Sequence, residues 1–119
     1  MKFTIEEVAK LVHEINKLYC AHMGDYSLSN WKDSPSWQKE SIISGIKNII
    51  QNPNQTPEES HNKWLKYKEE EGWKYGKVKD SILKTHPCFL PYNDLPEQQK
   101  LKDIIFISMV KIFLPYIIQ

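Results

Sequence analysis

The sequence predicts a mainly α-helical, compact fold of four helices, with one long irregular segment that could contain a short β element. Apolar residues recur at helical spacing in four separate segments, which is typical of amphipathic helices. Capping patterns precede several of these segments. A length of 119 residues, with 40% hydrophobic and 26% charged side chains, fits one globular domain, residues 1–119, and is not typical of disordered or fibrous chains.

The first helix is predicted to begin after Thr4, because Thr4 and Glu7 have the spacing of a capping box. Gly24, followed by an aspartate, is predicted to end it. His13 lies off the apolar stripe of this helix. The stripe consists of Ile5, Val8, Ala9, Leu11, Val12, Ile15, Leu18 and Tyr19.

The second helix is predicted to begin at Ser34-Pro35, where a capping residue precedes a first-turn proline. Its buried face is predicted to consist of Ile42, Ile43, Ile46, Ile49 and Ile50. Trp37 falls nearly opposite this face. An indole in that position is either a platform for a ligand or is covered by another part of the chain, and the sequence leaves both open.

The third helix opens with Thr56, Pro57 and Glu59, which combine a capping box with a first-turn proline. Gly72 is predicted to end it. The helix has few apolar residues. Its organised face carries His61, Trp64 and Lys68 at positions i, i+3 and i+7. An indole flanked by an imidazole and an ammonium is not typical core packing. It indicates either a binding surface or, together with Trp73, an aromatic anchor that holds the following loop on the helices while the lysines are solvated.

A long segment with little periodicity follows, from residue 73 to residue 91. Irregular stretches of this length are uncommon in small domains and often carry function. Residues 75–78 could pair as a short strand. The segment and the helix before it combine tryptophans with several lysines, so we expect any ligand to be anionic. These lysines are Lys68, Lys74, Lys77 and Lys79.

The fourth helix is predicted to be capped by Asn93-Asp94 and to run from about Leu95 to Leu114. It is apolar on two sides. One stripe, predicted to seat the helix on its own domain, consists of Leu101, Ile105, Met109, Ile112 and Phe113. The second stripe, on the opposite side, consists of Ile107, Val110 and Leu114. Either the first helix covers this second stripe, or a second copy covers it in a homodimer.

The charge composition argues against a nucleic-acid partner. Sixteen basic residues face fifteen acidic ones, for a net charge of +1, whereas nucleic-acid-binding domains usually carry a basic excess. Every basic residue is lysine and none is arginine. Any phosphate or carboxylate must therefore be held by point-charge lysines, histidines or backbone amides rather than by a guanidinium fork.

Location is predicted from the cysteines and the apolar segments. Cys20 and Cys88 do not make a disulfide framework, and the chain opens on acidic residues rather than a signal peptide. The apolar run over residues 104–118 is short for a membrane span and is interrupted by Lys111 and Pro115. We expect a cytoplasmic protein with no membrane partner.

No catalytic pattern stands out. There is no glycine-rich phosphate loop, no nucleophile elbow and no zinc spacing among the histidines and cysteines. His86-Pro87-Cys88 could bring an imidazole near a thiol, although packing of both in a loop is the favoured interpretation. The acidic run at residues 69–71 is interpreted as a solvated helix end. We therefore expect no enzyme activity, no metal and no cofactor.

Three segments form a long ordered pattern: His61-Asn62-Lys63-Trp64, Glu71 to Asp80 (EGWKYGKVKD) and Lys84 to Phe89 (KTHPCF). This pattern resembles the RyR domain, which occurs as four repeats in the cytoplasmic part of ryanodine receptor channels. It also stands alone in bacterial and phage proteins, and this chain is similar to such stand-alone members. The resemblance divides the domain into a helical extension, residues 1–55, and a repeat core, residues 56–114. Channel repeats often carry arginine where this chain has Lys68 and Lys79, so bidentate anion recognition is not expected at these positions.

The resemblance implies a non-catalytic domain whose tryptophan-lined cleft accepts a nucleotide-like ligand. Such a domain would sense the ligand, or sequester it if the protein is phage-encoded. The alternative function is a protein-interaction or assembly module that uses the same aromatic surface. Carried over residue by residue, the implied ligand-binding positions are His61, Trp64, Lys68, Trp73, Tyr75, Asp80 and His86. Trp37 and Trp31 lie outside the shared repeat and are added as weaker candidates.

Overall fold

The computed structural model describes residues 1–118, which form a mainly α fold, as the sequence predicted. The helices are α1 (Ile5–His22), α2 (Ser36–Gln51), α3 (Pro57–Glu70) and α4 (Glu97–Phe113). Helix α1 packs against both α2 and α4, and α3 packs against α4 and α2. None of these helices is long and apolar enough to cross a membrane.

Two helix starts and two helix ends lie where the capping patterns placed them. The hydroxyl oxygens of Thr4 and Thr56 accept the backbone N–H groups of Glu7 and Glu59, at 3.1 and 3.2 Å. Both glutamates return a hydrogen bond to the capping backbone, which completes two capping boxes. Gly24 lies just past the end of α1, and Gly72 lies just past the end of α3. Their φ angles are 91° and 88°, in the left-handed region that favours glycine.

The start of α2 differs from the prediction. A 3₁₀ turn, Trp31–Asp33, precedes it, and Ser34 ends that turn instead of capping the helix. The Ser34 hydroxyl lies against the 3₁₀ turn, where it donates to the Asn30 carbonyl at 3.0 Å. Pro35 is the N-cap and offers no side-chain hydrogen bond. The cause is local, because a residue before proline is biased towards extended backbone.

The start of α4 also differs, for the same reason. Residues 93 and 94 lie in a second 3₁₀ turn, Tyr92–Asp94. Leu95, which precedes Pro96, is extended with ψ 142°. The helix therefore begins at Glu97 rather than near residue 95.

The main core lies between α1, α2 and α4. It is formed by Val8, Ala9, Val12, Trp31, Ile46, Ile49, Ile107, Val110 and Ile117. His13, which the sequence placed off the apolar stripe, is buried, and its Nε2 lies 2.7 Å from the Ser29 carbonyl. Leu18, placed on the stripe, is exposed. The buried face of α1 is shifted because the segment before α2 folds over His13.

The orientation of α4 is the reverse of the predicted one. Ile107 and Val110 are 5% and 0% exposed, and Leu114 packs against the same core. Leu101 and Ile112, predicted to face the domain, are 46% and 66% exposed. Of the two alternatives that the sequence leaves open for the second stripe, the structure shows the first: helix α1 covers it within one chain.

The irregular segment contains a short parallel β element. Strand β1 (Lys74–Tyr75) pairs with β2 (Thr85–His86). Pairing was expected over residues 75–78, whereas the strand begins one residue earlier and ends at Tyr75. The chain ends are also joined, since the Ile118 amide donates to the Phe3 carbonyl at 2.7 Å.

Candidate ligand-binding cavity

A cavity of about 780 Å³ lies between the four helices and the segment that contains the β element. This volume is within the range of small-molecule sites. Helices α3 and α4 each contribute neighbouring polar or aromatic side chains, and the irregular segment contributes basic ones. The aromatic, basic and acidic side chains of the lining include His61, Trp64, Lys77, Lys79, His86, Lys102 and Asp103.

His61 is held in one tautomer by the backbone. It is 4% exposed, and its Nε2 lies 2.7 Å from the Leu90 carbonyl oxygen, which can only accept. Nε2 therefore carries the proton, and Nδ1 of the neutral ring is an acceptor. Burial lowers the pKa of His61, partly opposed by this hydrogen bond. The Trp64 ring stacks on the imidazole, with centroids 5.5 Å apart.

Asp103, on α4, faces His61. Its Oδ2 lies 3.7 Å from His61 Nδ1 and has no hydrogen-bond partner among the described residues. Burial raises the pKa of Asp103 to about 7, and nearby Lys102 lowers it in part. The sequence analysis missed this residue because α4 was interpreted through its apolar stripes alone.

His86, on β2, forms another wall of the cavity. Its Nδ1 accepts the Cys88 backbone N–H at 3.0 Å, so its Nε2 carries the proton. Burial, followed by the positive charges of nearby lysines, lowers the pKa of His86 to about 3. The ring is therefore neutral at physiological pH. The Trp64 ring meets it edge to face, with centroids 5.0 Å apart.

The basic side chains of the cavity form no close ion pair in residues 1–118. The carboxylate of Asp25 nevertheless lies near enough to two of them that its pKa, lowered first by hydrogen bonds, is lowered further by their charges. Lys77, Lys79 and Lys102 line it, and none of them lies within 4.0 Å of a carboxylate in residues 1–118. Burial and the charge of Lys102 lower the pKa of Lys79, while Asp25 opposes them. The sequence analysis included Lys77 and Lys79 and missed Lys102, which lies on the helix whose orientation was reversed.

A smaller cavity of about 270 Å³ adjoins Trp37, Lys68 and Trp73. The Lys68 ammonium lies 4.8 Å from the ring centroid of each tryptophan. Burial lowers the pKa of Lys68 to about 8. Trp37 is half-buried and lines both cavities. Lys68 and Trp73 thus cover one part of its ring, while another part remains available to the large cavity.

The predicted site residues are therefore divided among different places. The large cavity collects His61, Trp64, His86 and Trp37, and the small one collects Lys68, Trp73 and again Trp37.

Three candidates lie in neither cavity. Trp31 is part of the core, because the 3₁₀ turn directs its side chain inward. Tyr75 is exposed on β1. The Asp80 carboxylate accepts the backbone N–H groups of Ile82 and Leu83 at 2.9 and 3.0 Å, so it shapes a turn.

One comparison with known proteins bears on this chain. A family model described as RyR domain matches residues 40–115, which is more than half of the chain. The matched range includes α3, the β element and α4, and with them every cavity residue from His61 to Asp103. Trp31 and Trp37 precede it.

Proposed function

Because the chain belongs to the RyR domain family, we propose that it is a non-catalytic binding module for an anionic ligand with an aromatic ring. A nucleotide-like molecule has both features. The large cavity, at about 780 Å³, can enclose a ligand of that size. Binding without turnover suits a sensor of a nucleotide signal, or a protein that sequesters it.

The observation that carries the proposal is the cluster of lysines that form no ion pair within 4.0 Å in residues 1–118. Lys79 and Lys102 line one cavity and lie close enough to each other, and to His86, to lower the pKa values of both Lys79 and His86. Such mutual repulsion is relieved when an anion binds between the ammoniums. A phosphate group meets this requirement without a guanidinium fork.

The aromatic side of the cavity supports a ring on the ligand. Trp64 is half-buried and lines the cavity, so part of its side chain can contact a ligand there. Stacking of a base on such a ring contributes about 1–3 kcal/mol in nucleic-acid systems. The cavity is not filled by the chain's own side chains, which favours a small ligand over the alternative of a protein-interaction module.

Two of the polar side chains of the cavity, His86 and Cys88, are poorly suited to catalysis, whereas Asp103, with a pKa of about 7, meets the usual criterion for a general acid or base. A general acid or base works best with a pKa near the operating pH, whereas burial lowers that of His86 to about 3. Burial also raises the pKa of the Cys88 thiol, which reduces the thiolate needed for nucleophilic attack. Neither side chain is activated for catalysis in this position.

The test is titration calorimetry with cytidine and adenosine 5′-monophosphates. The double variant Lys79→Gln with Lys102→Gln should bind about tenfold more weakly, since two charges next to the phosphate are lost. The matched control is Lys74→Gln with Lys111→Gln, which removes two exposed lysines outside both cavities. Equal weakening in both double variants, or no binding to the parent, would contradict the proposal.

A further inference from the structure

When Asp103 is ionised, above its pKa of about 7, two hydrogen-bond acceptors on the wall of the large cavity face each other with no donor between them. The Leu90 carbonyl fixes the His61 proton on Nε2, which leaves a lone pair on Nδ1. Asp103 Oδ2 is 3.7 Å from this nitrogen and is buried without a partner in residues 1–118. That separation exceeds a hydrogen bond, so neither atom satisfies the other.

The gap between His61 Nδ1 and Asp103 Oδ2 lies beside the indole of Trp64, on which a ring would stack. Trp64 packs parallel to His61, with an interplanar angle of 23°, and all three side chains line the same cavity. A ring placed on the open part of the indole would bring its edge towards this wall. The exocyclic groups on that edge would then decide how well the gap is filled.

We propose, on the basis of the function proposed above, that His61 Nδ1 and Asp103 Oδ2 together receive an amino group carried by the aromatic ring of the ligand. An amino nitrogen at about 2.9 Å from each acceptor can direct one N–H to each of them. A ring carbonyl in the same place would add a third acceptor, which the gap repels. The cavity therefore selects amino-substituted rings, of the cytosine, adenine or guanine type, over their oxo counterparts.

The test uses two pairs of ligands that differ by one amino group. Cytidine and uridine 5′-monophosphates form one pair, and adenosine and inosine 5′-monophosphates form the other. In each, a ring amino group is replaced by a carbonyl. Calorimetry on the full chain should show the amino member of at least one pair binding about tenfold more tightly than its oxo member.

The variant Asp103→Asn probes the same contact, because a carboxamide can donate as well as accept. We expect it to bind the oxo member at least as well as the parent does, which reduces or reverses the preference. The control Asp94→Asn changes an exposed carboxylate outside the cavity and should keep the preference of the parent. Circular dichroism on both variants checks that each is folded.

The outcomes separate this inference from the proposed function. If both members of each pair bind the parent equally, or if Asp103→Asn keeps the full preference, the ligand binds but the inference is wrong. If none of the four nucleotides binds, the proposed function fails and the inference fails with it. A preference that appears in the parent and disappears only in Asp103→Asn supports both.

Discussion

Lys68 is a buried cation held by two indole rings. It is 4% exposed, and no carboxylate in the described part of the chain lies within 4.0 Å of its ammonium. A desolvated cation–π contact contributes about 2 kcal/mol, which offsets part of the cost of removing the charge from water. The remainder appears as the lowered pKa, about 8.

This lowered pKa predicts that stability rises with pH in the alkaline range. Between pH 8 and 10.5 the unfolded chain keeps the Lys68 proton that the folded chain has lost, so the free energy of unfolding increases with pH. The gain is about 3 kcal/mol at most. Urea unfolding at several pH values should show the free energy of unfolding of the parent rising relative to that of Lys68→Met as the pH increases. Lys74→Met, at an exposed lysine, should follow the parent. Parallel curves for the parent and Lys68→Met would contradict the prediction.

Trp64 is expected to matter more for binding than for folding. Truncation of a fully buried tryptophan costs about 3–5 kcal/mol, and Trp64→Ala should cost less because the ring is half-buried. Binding of cytidine 5′-monophosphate should fall by about tenfold or more, since the stacking surface is lost. The two measurements are urea unfolding and calorimetry on the same sample. A large loss of stability with unchanged affinity would assign the ring to the core.

At the residue scale, short motifs in the sequence singled out side chains that the structure places close together. His61, Trp64 and His86 were identified from the His-x-x-Trp and His-Pro patterns, and the structure brings all three to one cavity. Asp103 and Lys102 were missed because no local pattern marks them. Their position depends on which face of α4 is turned inward, and that is decided by packing rather than by neighbours in sequence.

At the scale of the element, α4 shows why periodicity alone was insufficient. Both sides of the helix are apolar at helical spacing, so the pattern predicts the helix but not its rotation. Packing against α1 selects the face of Ile107 and Val110. Asp103 lies four residues before Ile107, on the same face, so burying that stripe also turns the carboxylate inward. The capped ends of α1 and α3 were predictable because a capping box is a local interaction.

A charged side chain should destabilise the protein far more on the buried face of α4 than on its exposed face. Val110 is 0% exposed, so Val110→Glu buries an unpaired carboxylate and should unfold the protein or cost more than about 4 kcal/mol. Ile112 is 66% exposed, and Ile112→Glu should change stability by less than about 1 kcal/mol. Circular dichroism with urea unfolding compares them. A folded Val110→Glu with a lower oligomeric state than the parent would instead restore the second-copy explanation for that stripe.

At the scale of the whole molecule, the segment before the family match completes the domain. Helix α1 supplies Val8 and Val12 to the core, and His13 lines the large cavity. The Phe3 amide also donates to the Tyr116 carbonyl at 2.8 Å, which joins the two ends of the described chain. Such long-range contacts have no signature in the local sequence. The fold class was therefore predictable, whereas the hydrogen bonding between the two ends of the described chain was not.

The charge of the whole molecule bears on how ligand affinity depends on salt. With a net charge of +1, the chain produces little long-range attraction, so any salt effect must come from the lysines at the cavity. Screening acts over about 8 Å at physiological ionic strength, and it is weaker where charges are partly buried. We therefore expect the affinity for cytidine 5′-monophosphate to fall only about three- to tenfold between about 50 mM and about 500 mM salt.

Lys79 and Lys102 should account for much of the effect of salt on ligand affinity. In Lys79→Gln with Lys102→Gln the affinity should be lower at every salt concentration and should depend less on salt than in the parent, because two of the local charges that salt screens are gone while Lys77 remains. Lys74→Gln with Lys111→Gln leaves those charges in place and should keep the salt dependence of the parent. Calorimetric titrations of the three proteins at low and high salt give the comparison. A parent affinity that does not change with salt would remove the lysines from ligand recognition and leave only the aromatic contacts. A salt dependence in Lys79→Gln with Lys102→Gln as large as that of the parent would place the anion at another surface.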